Sequence, residues 1–458
     1  MSLFAAPKPL FINQKESVEF EVDHPRVLDF SDPGTGKTRS RLESFARLRA
    51  KGAKCLLVLA PKSLLHSAWA ADCRKFTPWL TTSCAYAENR VKAFERKVDI
   101  YITNHDATKW LAKQPEKFFE RFECLVVDES GAFKHYKSQR SKALAKIKKY
   151  FARRVAMTGT PNPNTVTDVW HQVNIVDDGQ RLGKSFYAFR NAMCKPEQVG
   201  PAANMLKWHD REDAEEIVGE LLKDITIRYL LRECQDIPDN HKFTVPFQMR
   251  AAHMKRYMEM EELSVTQVKS GAVISAINAA TVVGKLLQIA SGAVYDSEKE
   301  YHLVDTSRYE LVADLAEERK HVVIFFNWIH QRDFLIEELG RRKMTYALID
   351  GSTTRNRNHV NRVVEAYQAG MYRVMLAHPK SAAHGLTLTR GTRTIWASPT
   401  YDLDHWIQAN HRIDRAGQTE KTETVNVLAE GTIEEHVYAV LSEKGAKLGR
   451  MLDYLRTK

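Results

Sequence analysis

Short apolar strands alternate with amphipathic helical patterns in two separate blocks of this chain, and no other feature restricts its fold so strongly. In the first block the apolar runs are Arg26–Phe30, Cys55–Ala60, Asp99–Thr103, Cys124–Asp128 and Arg153–Met157. Helical stretches lie between them, such as Ser40–Ala50, whose Leu42, Phe45, Ala46 and Leu48 fall mainly on one face. In the second block the runs are His321–Asn327, Thr345–Ile349, Arg373–Ala377, Arg393–Ala397 and Glu423–Leu428, with a helix predicted over Ile329–Arg342. Such alternation implies parallel sheets joined by crossover helices. The expected architecture is α/β, with one lobe over 1–240 and a second over 241–458. The stretch from Asn162 to Leu311 reads as mostly helical, and Val245-Pro-Phe as a turn or short strand near the divide.

Four motifs sit at the ends of these elements. Ser31-Asp-Pro-Gly-Thr-Gly-Lys-Thr38 follows a predicted strand and opens a predicted helix, the context a phosphate-binding loop needs. Its glycines, Gly34 and Gly36, set among Pro33 and Thr35 of the same loop, let backbone N–H groups close around a β-phosphate, and the helix N-terminus adds partial positive charge. Lys37 would bridge the β- and γ-phosphates of ATP, and Thr38 would hold Mg²⁺. Ser31 stands where a first glycine is usual. Cys124-Leu-Val-Val-Asp-Glu-Ser130 ends an apolar strand in two carboxylates. Asp128 suits a magnesium shell, and Glu129 suits orienting or deprotonating an attacking water. Met157-Thr-Gly-Thr-Pro161 ends another strand with hydroxyls that can sense the phosphate site. Gln408-Ala-Asn-His-Arg-Ile-Asp-Arg-Ala-Gly-Gln418 lies on a predicted helix, where Gln408, Arg412 and Arg415 would share one face. Arginine is suited to neutralising charge on a transferring phosphoryl group.

Charge bears on the partner. The chain carries a formal net charge of +11, which suggests an anionic partner, usually nucleic acid. Between Gly131 and Thr167 there is no Asp or Glu, while Lys134, Lys137, Arg140, Lys142, Lys146, Lys148, Lys149, Arg153 and Arg154 occur. This run reads either as a solvated helix face or as a phosphate-backbone contact. No run of roughly 18 apolar residues marks a membrane span. The N-terminus lacks a secretory pattern, so a cytoplasmic location is expected. The six cysteines form no Cys-x-x-Cys pair and read as reduced thiols rather than zinc ligands.

Taken in order, these motifs resemble helicase superfamily two, and within it the Swi/Snf-type DNA translocases. Gln14 resembles the glutamine that reads adenine upstream of the phosphate loop. Leu59-Ala-Pro-Lys-Ser-Leu-Leu-His-Ser-Ala-Trp69 resembles motif Ia, and Ile102-Thr-Asn-His105 motif Ib. Asp128-Glu-Ser with Phe133-Lys134 and Ser138-x-Arg140 is similar to the motif II region, and Thr158-Gly-Thr-Pro161 to motif III. Ile227-Arg-Tyr-Leu-Leu-Arg232 looks like the stretch that closes the first lobe, and Val322–Trp328 like motif IV. Motif V departs: Lys380-Ser-Ala-Ala-His-Gly-Leu-Thr-Leu388 carries Ala382 and Ala383 where the family has glycines, and Thr387 where it has asparagine.

The resemblance implies two tandem RecA-like P-loop NTPase lobes with helical insertions between them. It implies a DNA-dependent ATPase using ATP and Mg²⁺, with Gln14, Gly385 and Gln408 added to the nucleotide-binding set. Lys37, Thr38, Asp128 and Glu129 would come from the first lobe, and Arg412 and Arg415 from the second. Its partner would be duplex or branched DNA, gripped independently of sequence through phosphate contacts. Lys62, Thr103, Asn104, Asn327 and Lys380 are the candidates for that grip. Trp69, Trp170 and Trp208 read as helical core or as base-stacking groups. No obvious strand-separating hairpin is legible, which favours a duplex translocase over a helicase that separates DNA or RNA strands. A non-catalytic nucleic-acid-binding scaffold would be free to lose Lys37, Asp128, Glu129 or Arg415, and this chain keeps them all. A minimal motor of this kind suits a bacterial or phage setting.

Overall fold

The computed structural model describes residues 9–269, 276–355, 357–382 and 386–456. The chain divides into two compact units: Met1–Asp236 together with Lys444–Lys458, and Ile237–Glu443. Each is organised by one parallel sheet.

In the first unit the strands are β1 (Arg26–Asp29), β2 (Cys55–Ala60), β3 (Thr82–Ala85), β4 (Ile100–Asn104), β5 (Phe122–Asp128), β6 (Arg153–Met157), β7 (Cys194–Gln198), β8 (Leu206–Asp210) and β9 (Thr226–Ile227). Seven of them form a sheet in the order β3-β4-β2-β5-β6-β1-β9, every pair parallel. The continuous apolar runs follow from burial on both faces. Leu56, Val58 and Ala60 of β2 enter one core with Val126 of β5. Leu57 and Leu59 enter the other with Leu125 and Val127. The period-two pleat thus feeds two hydrophobic layers from one strand. Helix α1 (Ile12–Asp23) precedes β1, and α2 (Lys37–Ala50) follows it. Beneath them Arg41, fully buried, pairs with Glu21 at 2.9 Å and approaches Asp29 at 3.7 Å, tying both helices to β1.

The second unit contributes β10 (Asn240–Phe247), β11 (Ala293–Tyr295), β12 (Tyr301–Leu303), β13 (Val322–Phe325), β14 (Tyr346–Ile349), β15 (Val374–Ala377), β16 (Arg393–Trp396) and β17 (Thr422–Ala429). Six make a parallel sheet in the order β10-β17-β16-β13-β15-β14. Val322 and Ile324 of β13 face one core and Val323 and Phe325 the other. A buried pair stitches this unit together. Both terminal nitrogens of the Arg308 guanidinium reach Glu434, at 2.7 and 2.5 Å, and also donate to the Ala290 and Val427 carbonyls.

The segment between Asn162 and Leu311 is not purely helical. It holds the antiparallel ribbon β7–β8, the sheet-edge strands β9 and β10, and the small pair β11–β12. Val245-Pro-Phe lies inside β10, an edge strand that Pro246 can join because edge positions leave N–H groups unpaired. The helix Ile433–Tyr454 starts in the second unit and ends in the first. Among the described residues no helix is long and apolar enough to cross a membrane.

Candidate nucleotide and nucleic-acid site

Parallel α/β sheets bind ligands at the carboxyl ends of their strands, and the motifs of the first unit gather at that edge. The loop after β1 carries the phosphate-loop sequence. Gly34 and Gly36 take φ values of +92° and +86°, in the left-handed region that favours glycine. At Gly36 a Cβ atom would fall 2.0 Å from Gln14 Nε2, so only glycine lets Gln14 lie against the loop. Gln14 is buried and accepts the Phe11 N–H at 3.1 Å. Lys37 opens α2 and turns back over the loop, donating to the Ser31 carbonyl at 2.5 Å and the Asp32 carbonyl at 3.0 Å. Thr38 follows it, half-buried. Thr35 donates to the Asp32 carbonyl at 2.9 Å. Two glycines, a lysine and a helix N-terminus make a cradle for an anion.

The loop is braced from the segment after β9. Buried Arg228 donates to the Phe30 carbonyl at 2.9 Å and to Asp32 Oδ1 at 2.6 Å, and Leu231 N–H reaches Asp32 Oδ2 at 3.0 Å. Ser31 has its own reason to replace glycine: its hydroxyl accepts the Tyr229 N–H at 3.1 Å.

Beside the loop, β5 delivers Asp128 and Glu129. Asp128 Oδ2 accepts the Trp69 indole N–H at 2.8 Å, and its Oδ1 accepts the Glu129 N–H at 3.0 Å. Burial pushes the Asp128 carboxyl up to about 6, against the lowering pull of Trp69 and Lys37. Such a group gains from a neighbouring cation. Glu129 sits at φ +49°, a left-handed conformation for a residue with a side chain. Thr158, past the end of β6, donates to Glu129 Oε2 at 3.4 Å. Gly159 abuts the phosphate loop: a Cβ there would come 2.8 Å from Pro33 Cδ. The hydroxyl of Thr38 and the carboxylate of Asp128 are hard oxygen donors that suit Mg²⁺, and the glycine cradle fits a polyphosphate.

In the second unit the arginine motif differs from its expected form. The helix Leu403–Asn410 ends before Arg412 and Arg415, so these arginines lie in turns and share no helix face with Gln408. They converge all the same. Arg412 Nη1 and Arg415 Nη1 both donate to the Leu386 carbonyl, at 3.1 and 2.9 Å. Arg412 Nε also holds the Gln408 carbonyl at 2.7 Å. Gln418 donates to the Thr389, Gly391 and Ile413 carbonyls and so fixes the turn. Gly385 lies outside the described residues.

The five residues expected to grip DNA fare unequally. Lys62, in the turn after β2, and Lys380, in the short helix after β15, are exposed. Asn104, at the end of β4, is half-buried and accepts from Arg90 at 3.2 Å. Thr103 must be corrected: it is fully buried and its hydroxyl donates to the Ala85 carbonyl at 2.8 Å, so it has no surface to offer. Asn327 spends its amide on Ser398 and the Pro399 carbonyl, at 3.0 to 3.1 Å, joining the ends of β13 and β16. Much of the basic run is absorbed locally. Arg140 pairs with Asp106, Lys148 with Asp178, Arg154 with Asp178 and Lys134 with Asp168. Trp69 was missed as a site residue. Its distance from Asp128 in sequence hides a contact that only the pairing of β2 with β5 creates.

A model of the SNF2-related domain matches residues 15–291, and one of the helicase conserved C-terminal domain matches residues 306–420. The chain belongs to the SNF2-related family. As a member it is a helicase-type, DNA-dependent ATPase built from two tandem RecA-like lobes. Protein p41 of Acyrthosiphon pisum secondary endosymbiont phage 1 is 26% identical over 446 residues, covering 93% of this chain and 94% of its own length. The human "DNA annealing helicase and endonuclease ZRANB3" is 25% identical, covering 88% of this chain and 37% of its own. The SWI2/SNF2 ATPase core of Sulfolobus solfataricus, solved in complex with dsDNA, is 19% identical, covers 99% of this chain and 96% of its own, and superposes with a TM-score of 0.46. The chain spans nearly all of the phage protein but only 37 to 44% of several other SNF2-related relatives.

Proposed function

We propose that this SNF2-related ATPase is a motor that moves along double-stranded DNA and remodels protein–DNA complexes or branched DNA. The observation that carries the reading is a repeated one. Each unit has an exposed lysine just past the carboxyl end of an inner strand of its parallel sheet, Lys62 after β2 and Lys380 after β15. One phosphate contact per unit is what stepping along a backbone requires, and it carries no sequence information. The net charge of +11 is in keeping with a polyanionic track. The names of relatives such as the DNA annealing helicase support DNA as that track.

In this reading Lys37 and the Gly34–Gly36 backbone bind the phosphates of ATP, and Gln14 contacts its base. Thr38 and Asp128 hold Mg²⁺, which neutralises phosphate charge when bound. Glu129, positioned by Thr158, orients and deprotonates water. Trp69 keeps the Asp128 carboxylate in place. Arg412 and Arg415 supply positive charge to the transferring phosphoryl group, and Gln408 and Gly385 belong to the nucleotide-binding set. The motor works in the cytoplasm of a bacterial or phage-infected cell, a setting the phage relative supports.

The test is the steady-state ATPase rate without nucleic acid and with duplex DNA, single-stranded DNA, branched DNA or RNA, each at two salt concentrations. Strong stimulation by duplex DNA that fades at high salt is expected, together with displacement of a third strand from a triplex. Stimulation by single strands or RNA alone, with strand displacement, would replace the translocase by a strand-separating helicase. No hydrolysis under any condition would leave a binding scaffold.

A further inference from the structure

One surface of the first unit is left over by this mechanism. Tyr136 and Lys137 follow β5, Tyr187 and Arg190 lie on the helix Phe186–Met193, and Trp208 lies on β8. Rings and cations alternate along them. The Tyr136 and Phe186 rings stand 4.6 Å apart, and Lys137 Nζ lies 5.7 Å from the Tyr136 centroid and 5.5 Å from that of Tyr187. Arg190 then spans to 5.3 Å over Tyr187 and 3.7 Å over Trp208. Core aromatics are sealed from water, but Tyr187 keeps 50% of its surface exposed. The ribbon β7–β8 continues the surface with exposed Lys195 and Lys207. Its acidic groups are engaged: Glu197 pairs with His209 at 2.6 Å, and Asp210 accepts the Val166 N–H at 3.1 Å. With Lys137, Arg190, Lys195 and Lys207 set against Glu197 and Asp210, the surface is net positive, and it presents aromatic rings.

Resting on the reading of DNA as the partner, we propose that the stripe Tyr136–Lys137–Tyr187–Arg190–Trp208 binds single-stranded DNA, the unpaired arm of a branched substrate. Duplex DNA offers phosphates outward while its base faces are occupied by one another, so a duplex gains little from exposed rings. Unstacked bases offer those faces, and the interleaved lysines and arginines take the phosphates between them. Trp208 acts here as a stacking group. The stripe gives the motor a preference for junctions over plain duplex.

The experiment measures anisotropy of labelled oligodeoxythymidylate, oligouridylate and a blunt duplex titrated with the full chain. Tyr187→Ala should weaken oligodeoxythymidylate binding by about tenfold, Tyr187→Phe should retain it, and Trp208→Ala should match the alanine loss. Blunt-duplex affinity and duplex-stimulated hydrolysis should stay unchanged in all three. An unmodified chain that does not bind oligodeoxythymidylate, a Tyr187→Ala variant that binds it normally, an equal loss on the duplex, or a loss confined to oligouridylate would each overturn the proposal. Failure of the motor reading is seen separately, as absence of duplex-stimulated hydrolysis in the unmodified chain.

Discussion

The first unit holds its candidate functional groups on a frame of touching loops, and the second gathers its two arginines on backbone carbonyls. At the edge of the first sheet, the loops after β1, β5 and β6 touch one another. Pro33 meets Gly159, Thr158 meets Glu129, Trp69 meets Asp128, and Arg228 clamps Asp32 from behind. At the edge of the second, Arg412 and Arg415 share the Leu386 carbonyl from irregular turns. The first unit thus fixes its candidate groups by contacts among three loops, and the second holds its two arginines together at one backbone carbonyl.

Substitutions can break that contrast. Arg415→Ala should lower the ATPase rate by about 10³-fold while fluorescent-nucleotide binding stays intact. Lys37→Ala, on the frame, should lose binding itself. Near-normal hydrolysis by the Arg415 variant would remove the second unit from the chemistry. Glu129→Gln should keep binding and lose nearly all turnover.

Stability tests the same division. Glu434→Gln leaves Arg308 buried with half a partner and should cost about 3–5 kcal/mol in denaturant unfolding. Glu21→Gln should cost less than half of that. Burial already pushes the Glu21 carboxyl up, against the pull of Arg41, and Arg41 retains Asp29. Equal losses would show that the two buried networks are equivalent.

Acid should expose a smaller difference. Burial lowers His330 of the second unit to about 3 and His171 of the first to about 4, from a usual 6.5. Below 6.5 the unfolded chain takes up protons that the folded chain refuses. Stability is therefore fully present above 6.5 and falls as pH drops, by up to about 1.4 kcal/mol per pH unit for each histidine. The decline should continue to lower pH for the second unit, and His330→Asn should flatten it. The smallest effect concerns the track: Lys62→Ala and Lys380→Ala should each reduce the salt slope of DNA binding by about 1, and Thr103→Val should leave it unchanged.

Much of this could be read from the chain because its central strands are buried on both faces. Runs such as Cys55–Ala60 are then apolar throughout and stand out. The same property hid Thr103, since a fully buried strand gives no alternation to show which polar residue points inward. β3, with Thr82 and Ser83, β9, with two residues, and the polar ribbon β7–β8 lack that apolar mark. The phosphate loop and the carboxylate pair were legible because their chemistry is local in sequence. The Trp69–Asp128 bond, the Ser31–Tyr229 bond and the convergence of two arginines on Leu386 are products of tertiary pairing. The helix end at Asn410 escaped a spacing argument that assumed the helix ran on.

The last helix carries a consequence for the order of synthesis. Its C-terminal part packs on the first unit, where a Cβ on Gly219 would meet Tyr454 Cβ at 2.5 Å, Lys444 reaches Asn164 at 3.0 Å, and Arg456 pairs with Glu233. A ribosome delivers the nucleotide-cradling half first, yet that half waits for its final piece until all of Ile237–Glu443 has been made. The nascent first unit must therefore leave the surface around Asn164, Gly219 and Glu233 uncovered while the whole of the second unit is synthesised, and that surface is closed only once residues from Lys444 onward emerge.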